Sequence, residues 1–243
     1  MKQKYRLTDE TIEYDGVTLY RIEAIRGFGN VTAGDKGGFV QSELNLSQEG
    51  DCWIYNRARV FGEAKVCGEA KVCGEAMVFD EAQVYGEAMV YGEAEVFGKA
   101  AVSGEARVYC KAIVYGEAMV YGEAEVFGEA MVYDKAKVFG KARVYGEADV
   151  FDKAEVFGKA QVRGEAKVCG KASIKSIEDY IVFKNWWSSG RYFTWTRSDN
   201  MWKVGCFYGT GEELIKKAYE DSEKSGREYE RVVRYVENIL ANK

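Results

Sequence analysis

A six-residue phrase dominates the chain. Valine or isoleucine occupies every sixth position from Ile54 to Ile174, and alanine occupies every sixth position from Ala58 to Ala172. Six residues turn an α-helix by about 600°, or 240° net, so these valines would spread over several sides of a helix. Turns six residues apart would leave an antiparallel sheet only about three residues per strand. The spacing therefore predicts a parallel β-solenoid.

Each position of the phrase has a predicted role. Three hexads make a triangular turn of about 18 residues, so the repeat predicts about seven coils, stacked roughly 4.8 Å apart into a rod about 30 Å long. Val and Ala point inward. The third position is Gly or a residue type that tolerates a left-handed backbone, and Cys110 is the exception that this interpretation leaves unexplained. Those substitutes for Gly are Asn56, Asp80, Asp134 and Asp152.

The hexads and the lead-in GDKGGFVQSELNLSQEGDCWIYNRARV resemble the hexapeptide-repeat, left-handed parallel β-helix superfamily. More narrowly, they resemble bacterial and phage proteins of the YdcK type. The resemblance covers about Leu46 to Ile174 with the lead-in, and it implies left-handed winding and a trimer. It also implies acyl transfer with a histidine as general base, but the chain contains no histidine and no loop interrupts the hexads. We therefore expect no catalytic residue and no cofactor.

Composition narrows the remaining classes. The net charge of −5 argues against a general nucleic-acid binder, which normally carries a basic excess. No apolar run approaches 18 residues and the first residues contain no apolar signal core, so we expect a cytoplasmic protein, in the host cytoplasm if phage-encoded, with no membrane partner. The six cysteines are scattered and contain no CxxC pair. Free thiols and no metal site are expected.

The residue after each valine is usually aromatic, and sorting these residues by eighteens separates three sides of the prism. The first side has the longest unbroken aromatic run and the most apolar neighbours. One interpretation is that rings stack between coils on all three sides and stabilise the solenoid. A second, compatible with it, is that the first side forms a homo-oligomer interface, with a trimer favoured. The predicted interface is Phe61, Phe79, Phe97, Tyr115, Tyr133, Phe151, Met77, Ile113 and Met131.

The composition changes at both ends of the repeat. We expect a hairpin cap around Asp15-Gly16 in residues 1–45, the β-helix in residues 46–175, and a small α+β domain in residues 176–243. In that domain we predict three strands, near 179–186, 191–197 and 201–208. A capping box at Thr210 begins a first helix, Ser225-Gly226 ends it, and a second amphipathic helix follows. The fold class is mainly β.

The C-terminal domain is also the predicted ligand site. Arg beside Trp suits a nucleobase with a phosphate, and a strand that leads into a helix N-terminus attracts anions. The alternative is that the Trp side chains form a core against the helices and the Arg side chains are solvated. The candidate residues are Trp186, Trp187, Arg191, Trp195, Arg197, Trp202, Lys203, Gly209, Thr210 and Gly211.

These features favour a non-enzymatic, oligomeric β-helix scaffold with a C-terminal recognition domain. The C-terminal segment loosely resembles phage-associated proteins. In that setting the domain would sequester a nucleotide-type host signal, a small anion, or bind a host defence protein. Two alternatives stay open: an atypical hexapeptide-repeat acyltransferase, and a purely structural spacer.

Overall fold

The hexad region forms a parallel β-solenoid of about eight turns in a computed structural model that describes residues 3–241. Each hexad contributes a strand of two residues, the variable residue and the inward valine or isoleucine. The strands of the first side are Arg59–Val60, Met77–Val78, Glu95–Val96, Ile113–Val114, Met131–Val132, Asp149–Val150 and Lys167–Val168. Those of the second side are Lys65–Val66, Gln83–Val84, Ala101–Val102, Met119–Val120, Lys137–Val138, Glu155–Val156 and Ser173–Ile174. Those of the third side are Trp53–Ile54, Lys71–Val72, Met89–Val90, Arg107–Val108, Glu125–Val126, Arg143–Val144 and Gln161–Val162.

Backbone hydrogen bonds join each turn to the next. The amide of Arg59 donates to the carbonyl of Ala76 at 3.0 Å, and that of Phe61 donates to Val78 at 3.1 Å. The same pattern recurs along each side, and the hexad valines and alanines are buried throughout. The Val and Ala side chains of the three sheets meet inside the prism and form one hydrophobic core. The predicted solenoid is confirmed.

The corners require a left-handed backbone, as the third hexad position predicts. Asp80 and Asp152 have φ of 56° and 58°. Their carboxylates also accept backbone N–H bonds from the same corner of the next turn, at 3.1 Å from Gly98 to Asp80 and 3.0 Å from Gly170 to Asp152. Aspartate thus tolerates the conformation and links adjacent turns. Cys110 adopts the same conformation, with φ of 62°, and nothing in the structure explains why cysteine stands there.

The hexads make about seven turns, as predicted, and one further turn precedes them. The strand Lys36–Val40 pairs in parallel with Arg59–Val60, which adds a turn before the regular hexads. Val40, Leu46 and Ile54 are the buried inward residues of that turn. Leu46 and Ile54 are eight residues apart rather than six, so this turn does not keep the period that identifies the others.

The predicted N-terminal hairpin is confirmed. Strands Tyr5–Tyr14 and Val17–Ala24 pair antiparallel, and the second of them pairs with Lys36–Val40, so the hairpin extends the sheet of the first side. Lys4 is fully buried beneath it, and its ammonium donates to the carbonyl of Cys52 at 2.9 Å. Burial lowers the pKa of Lys4. The segment therefore closes the first turn with polar contacts that satisfy free carbonyls.

The C-terminal domain is a four-stranded antiparallel sheet with two helices. Its strands are Tyr180–Lys184, Tyr192–Thr196, Met201–Val204 and Phe207–Gly209. We predicted three strands, but the third one divides into a hairpin because Gly205 adopts φ of 55° and the chain turns there. Short 3-10 helices lie at Glu43–Asn45 and Ile177–Asp179.

The helices α1 (Gly211–Asp221) and α2 (Glu223–Ala241) begin and end differently from the prediction. Ser225-Gly226 does not end the first helix. It lies inside α2, and the chain breaks at Ser222 instead. A Cβ on Gly226 would overlap the ring of Tyr219 in α1, so glycine here permits close packing of the two helices. Gly226 therefore serves helix packing and does not mark the predicted helix end.

The C-terminal sheet packs on the last turn of the solenoid. The amide of Lys167 donates to the hydroxyl of Thr194 at 2.8 Å, and that of Ser173 donates to Ser198 at 2.7 Å. The hydroxyl of Tyr180 donates to the carbonyl of Gln161 at 2.9 Å. These side chains occupy the positions that a further turn would fill, so the domain covers the free end of the solenoid.

Candidate functional site

Three of the candidate tryptophans belong to the core of the C-terminal domain. Trp187, Trp195 and Trp202 are 8%, 1% and 2% exposed and form one buried cluster with residues of α1 and α2, including Leu214 and Val233. The alternation of side chains along the strand Tyr192–Thr196 is consistent with this, because Phe193 and Trp195 lie on the same, helix-covered face. These indoles therefore support the fold and present no open stacking surface.

The basic residues among the candidates are separated from one another. Arg191 is exposed, whereas Arg197 is half-buried and its Nε finds no hydrogen-bond partner among residues 3–241. The ammonium of Lys203 lies 5.4 Å from the centre of the Phe151 ring, so it faces the solenoid. The structure does not gather the predicted residues into one pocket.

The N-terminus of α1 is occupied by the protein's own carboxylate. The amide and hydroxyl of Thr210 donate to Oε2 of Glu213 at 2.8 and 3.0 Å, and the Glu213 amide donates to Thr210 Oγ1 at 3.3 Å. Bonds from the Thr210 backbone and side chain lower the pKa of Glu213. This confirms the predicted capping box. Gly211 begins the helix and Gly209 is buried behind it, and the Glu213 carboxylate already accepts the N–H of the N-cap residue Thr210.

Trp186, Trp187 and Arg191 lie on a tightly held loop, residues 185–191. Asn185 is buried, its amide nitrogen donates to the Tyr229 hydroxyl at 2.9 Å, and its Oδ1 accepts from the Ser188 amide at 2.9 Å. The Asn185 amide donates to the carbonyl of Arg191, and the Asn185 carbonyl accepts from the amide of Gly190, each at 2.8 Å. The loop nevertheless holds the indole of Trp186 in solvent, 71% exposed. We name this segment the Trp186 loop.

A cleft of about 280 Å³ opens beside the Trp186 loop. Arg191 contributes the one cationic side chain of its wall, and Asp221 contributes a carboxylate. Burial raises the pKa of Tyr229, which lies at the base beside Asn185, so its hydroxyl stays protonated and can donate. The remaining wall residues are Asn185, Ser188, Ser189, Tyr192, Val204, Gly205, Cys206, Ser225 and Tyr229.

The aromatic ladder of the first side is the second candidate surface. Rings from Phe61 to Phe151 stack in one column with centroids 4.8 to 5.1 Å apart and interplanar angles of at most 10°. Shorter ladders run from Tyr91 to Tyr145 and from Tyr121 to Phe157. The predicted stacking on all three sides is confirmed.

The first-side ladder is half-buried rather than fully exposed. Its six rings are intermediate in exposure, as are the neighbouring Met77, Ile113 and Met131. Tyr14 of the hairpin packs on Phe61 at 5.6 Å, and Lys203 covers Phe151, so the ends of the ladder are contacted by both caps. The middle of the ladder has no such cover within the described chain. Its role as an oligomer interface stays a prediction.

Charged residues stack along the corners beside the ladder. Corner A follows the first side and corner C precedes it. Neighbouring residues in corner A form exposed ion pairs, Lys99 with Glu81 at 3.6 Å and Lys135 with Glu117 at 3.3 Å. Corner A consists of Glu63, Glu81, Lys99, Glu117, Lys135, Lys153 and Lys171. Corner C consists of Arg57, Glu75, Glu93, Lys111, Glu129, Glu147 and Glu165.

Comparisons with known proteins give a partial match. No protein-family model matches the chain. A stretch of 69 residues is 44% identical to the "Uncharacterized acetyltransferase YdcK" of Escherichia coli strain K12, which is 25% of this chain and 21% of that protein. The match thus spans about a fifth of the relative's length. The chain fits the hexapeptide-repeat β-helix superfamily.

Among residues 3–241, no group of three or more His, Cys, Asp or Glu side chains could hold a metal ion. Within the same residues, no helix is both long and apolar enough to cross a membrane.

Asn185 and Tyr229, which hold the Trp186 loop, were not among the site residues predicted from the sequence. Asn185 precedes a Trp-Trp-Ser-Ser-Gly run, and Asn is a residue type whose side chain bonds nearby backbone in turns, so a local signal was present. Tyr229 had no such signal. It lies 44 residues further along the chain and reaches the loop only because α2 packs on the sheet.

Proposed function

We propose that this protein is a recognition protein, in which the β-solenoid is a rigid carrier and the Trp186 loop with its cleft binds a planar anion of the nucleotide type. The observation that carries this proposal is the solvent-exposed indole of Trp186 on a loop held by several internal hydrogen bonds. A large apolar ring exposed on an ordered loop is a typical contact residue.

The loop chemistry supports this ligand class. An indole stacks on any nucleobase, and the guanidinium of Arg191 can pair with a phosphate through two N–H bonds. Asn185 fixes both ends of the loop, so little conformational entropy is lost on binding.

Sequestration suits such a site, because it requires affinity and copy number but no reacting group. If the chain is phage-encoded, the bound molecule would be a nucleotide-type host signal, and the cellular effect would be its removal from solution. The other candidate tryptophans are buried, so a ligand from solvent can stack on Trp186 but not on them.

A binding assay tests the proposal. We expect nucleoside monophosphates or cyclic nucleotides to quench tryptophan fluorescence and bind by calorimetry, and Trp186→Ala to weaken binding by roughly 5- to 150-fold, the value of one base–aromatic stack. Arg191→Ala should weaken it similarly, whereas Trp186→Phe should retain part of the affinity. Tyr235→Ala, which removes a different exposed aromatic ring in α2, is the matched control.

Absence of binding to every nucleotide, or equal binding by all four variants, would contradict the nucleotide proposal. In the first case, capture of a host defence protein that depends on Trp186 would identify a protein partner for the same loop.

Acyl transfer is the second candidate, because the partial match is to a protein named as an acetyltransferase. This chain would need a general base other than histidine. Release of free coenzyme A from acetyl-coenzyme A in the presence of amine or hydroxyl acceptors would support this activity and replace the sequestration proposal.

A further inference from the structure

We propose that two copies of this chain associate through their first sides, parallel and in register, about a two-fold axis along the solenoid. This inference is independent of the proposed ligand. It rests on the charges at the two edges of the first side and on the ladder between them.

The two edges of the first side carry opposite charges on almost every turn. In each turn, the corner C residue and the corner A residue six positions later face outward on either side of one strand. Lys111 is followed by Glu117, and Glu129 by Lys135. The pairs are opposite from Arg57 through Lys171 except in the turn of Glu75 and Glu81, where Glu81 already pairs with Lys99.

Ion pairs within one chain, such as Lys135 with Glu117, run along a corner and do not join corner A to corner C. Six residues of extended or turning chain place the two edges up to roughly 20 Å apart, about twice the screening length in physiological salt. The second side provides an internal comparison. Its edges mostly carry like charges, for example Glu117 with Glu123 and Lys135 with Lys141. The third side is mixed, with opposite charges at Glu105 and Lys111 but like charges at Glu123 and Glu129. Opposite charges on almost every turn are therefore a property of the first side, the side with the longest ladder.

A parallel two-fold pairs these edges. Rotation about an axis along the solenoid keeps each turn at its own height and exchanges left and right, so corner A of one copy meets corner C of the other. Lys135 then meets the second copy's Glu129, and Glu117 meets its Lys111. The same pairing through the second side would place like charges together on most turns and would be repelled.

The apolar residues fit the same arrangement. On each strand the variable residue lies toward corner C and the ring toward corner A, so the two-fold sets each ladder against the variable residues of the other copy. Tyr115 meets Ile113, and Tyr133 meets Met131, and these residues are half-buried in the single chain. A three-fold arrangement with the first sides toward the axis, the trimer expected by resemblance, pairs the same edges but leaves the ladders facing an open centre.

The contact area predicts a weak dimer. Turns spaced about 4.8 Å apart and a side roughly 15 Å wide give roughly 450 Å² per copy over the ladder, or about 900 Å² in total. That is at the low end for specific interfaces, so we expect concentration-dependent association rather than an obligate dimer. Charged edges should make it stronger at low salt.

Charge reversal tests the pairing. We compare two double variants at low salt by sedimentation velocity, Lys135→Glu with Lys153→Glu in corner A, and Glu129→Lys with Glu147→Lys in corner C. Each variant alone should associate at least about tenfold more weakly than the original chain, because several edge pairs become repulsive. An equimolar mixture should restore association to within about threefold, since the reversed corner A of one chain meets the reversed corner C of the other.

A matched control makes the same charge change elsewhere. Lys141→Glu with Lys159→Glu lies in the corner between the second and third sides and should leave the dimer unchanged. Circular dichroism checks that every variant stays folded. The proposal is overturned if the chain of 27.3 kDa stays monomeric at all concentrations, forms a trimer, or forms a dimer that the mixture of variants does not restore. Failure to restore would fit an antiparallel pair, in which corner A meets corner A.

Discussion

The solenoid and the C-terminal domain distribute their stabilising contacts in opposite ways. In the solenoid, small Val and Ala side chains fill a prism that repeats, so each turn contributes a similar amount and contacts only its neighbours. In the C-terminal domain, a few large rings such as Trp195 and Trp202 form most of one compact core. The loss of stability caused by a substitution should therefore depend on the position within the hexad in the solenoid, and on which particular residue is changed in the C-terminal domain.

The two regions also depend on each other at one boundary. The repeat cannot satisfy the amides of its last turn, and the hydroxyls of Thr194 and Ser198 do so. A parallel solenoid has open ends by construction, so it needs a non-repeating cap.

The largest effect should come from placing a charge inside the prism. Val126→Asp buries a carboxylate among Val and Ala side chains, and we expect it to cost several kcal/mol of unfolding free energy and to lower the urea midpoint of the solenoid. Met119→Asp, an outward position 37% exposed, should change the unfolding free energy by less than about 0.5 kcal/mol. Equal losses of unfolding free energy in Val126→Asp and Met119→Asp would contradict the assignment of one residue to the core and the other to the surface.

Truncating one ring of the C-terminal core should come next. Trp202→Ala should cost about 3–5 kcal/mol in the unfolding of that domain, because it opens a large cavity among the helices. Near-ultraviolet circular dichroism follows this core, while the far-ultraviolet β signal follows the solenoid. The exposed Trp186→Ala is the control and should change stability by less than about 0.5 kcal/mol. A large loss of the solenoid signal in Trp202→Ala would show that the regions unfold as one unit.

The boundary itself is tested by Thr194→Val, which keeps the side-chain volume and removes the hydroxyl. The amide of Lys167 would lose its acceptor, at a cost of about 1–3 kcal/mol. Hydrogen exchange should become faster at Lys167 and leave central turns unchanged. Thr18→Val, which removes a hydroxyl bonded only to Glu13 at the surface, is the control. Unchanged exchange at Lys167 would contradict the capping role.

The smallest effect concerns thiol reactivity and does not alter stability. Burial raises the pKa of the Cys169 thiol to about 12, so almost none of it is thiolate between pH 7 and 9. The exposed Cys110 and Cys206 should therefore react with iodoacetamide first, as measured by mass spectrometry. Rapid labelling of Cys169 below pH 9 would mean that the contact between the C-terminal domain and the last turn opens readily.

Much of the solenoid could be predicted from periodicity because its local and global requirements coincide. A residue such as Val96 meets an equivalent residue 18 positions away, so the same letter recurs wherever the same environment recurs. The first turn escaped because two extra residues between Leu46 and Ile54 break the period while the inward side chains still stack. The six-residue period therefore identifies the regular turns but not the irregular first turn.

The candidate site was predictable only in part. Alternation placed Phe193 and Trp195 on one face of a strand, but it could not decide whether ligand or helix covers that face. Gly226 and Gly205 show the same limit, since one permits helix packing and the other divides a predicted strand. A glycine has several uses, and its neighbours in space select among them.

By itself, the sequence determined that this chain winds into a prism, with Val and Ala inside, Gly or Asp at the corners and rings on the outside, because a six-residue repeat has one compact solution. Tertiary structure alone decided which Trp is exposed and what covers the last turn. Those outcomes depend on contacts between residues far apart in the chain, such as Asn185 with Tyr229 and Lys167 with Thr194, for which no local period exists.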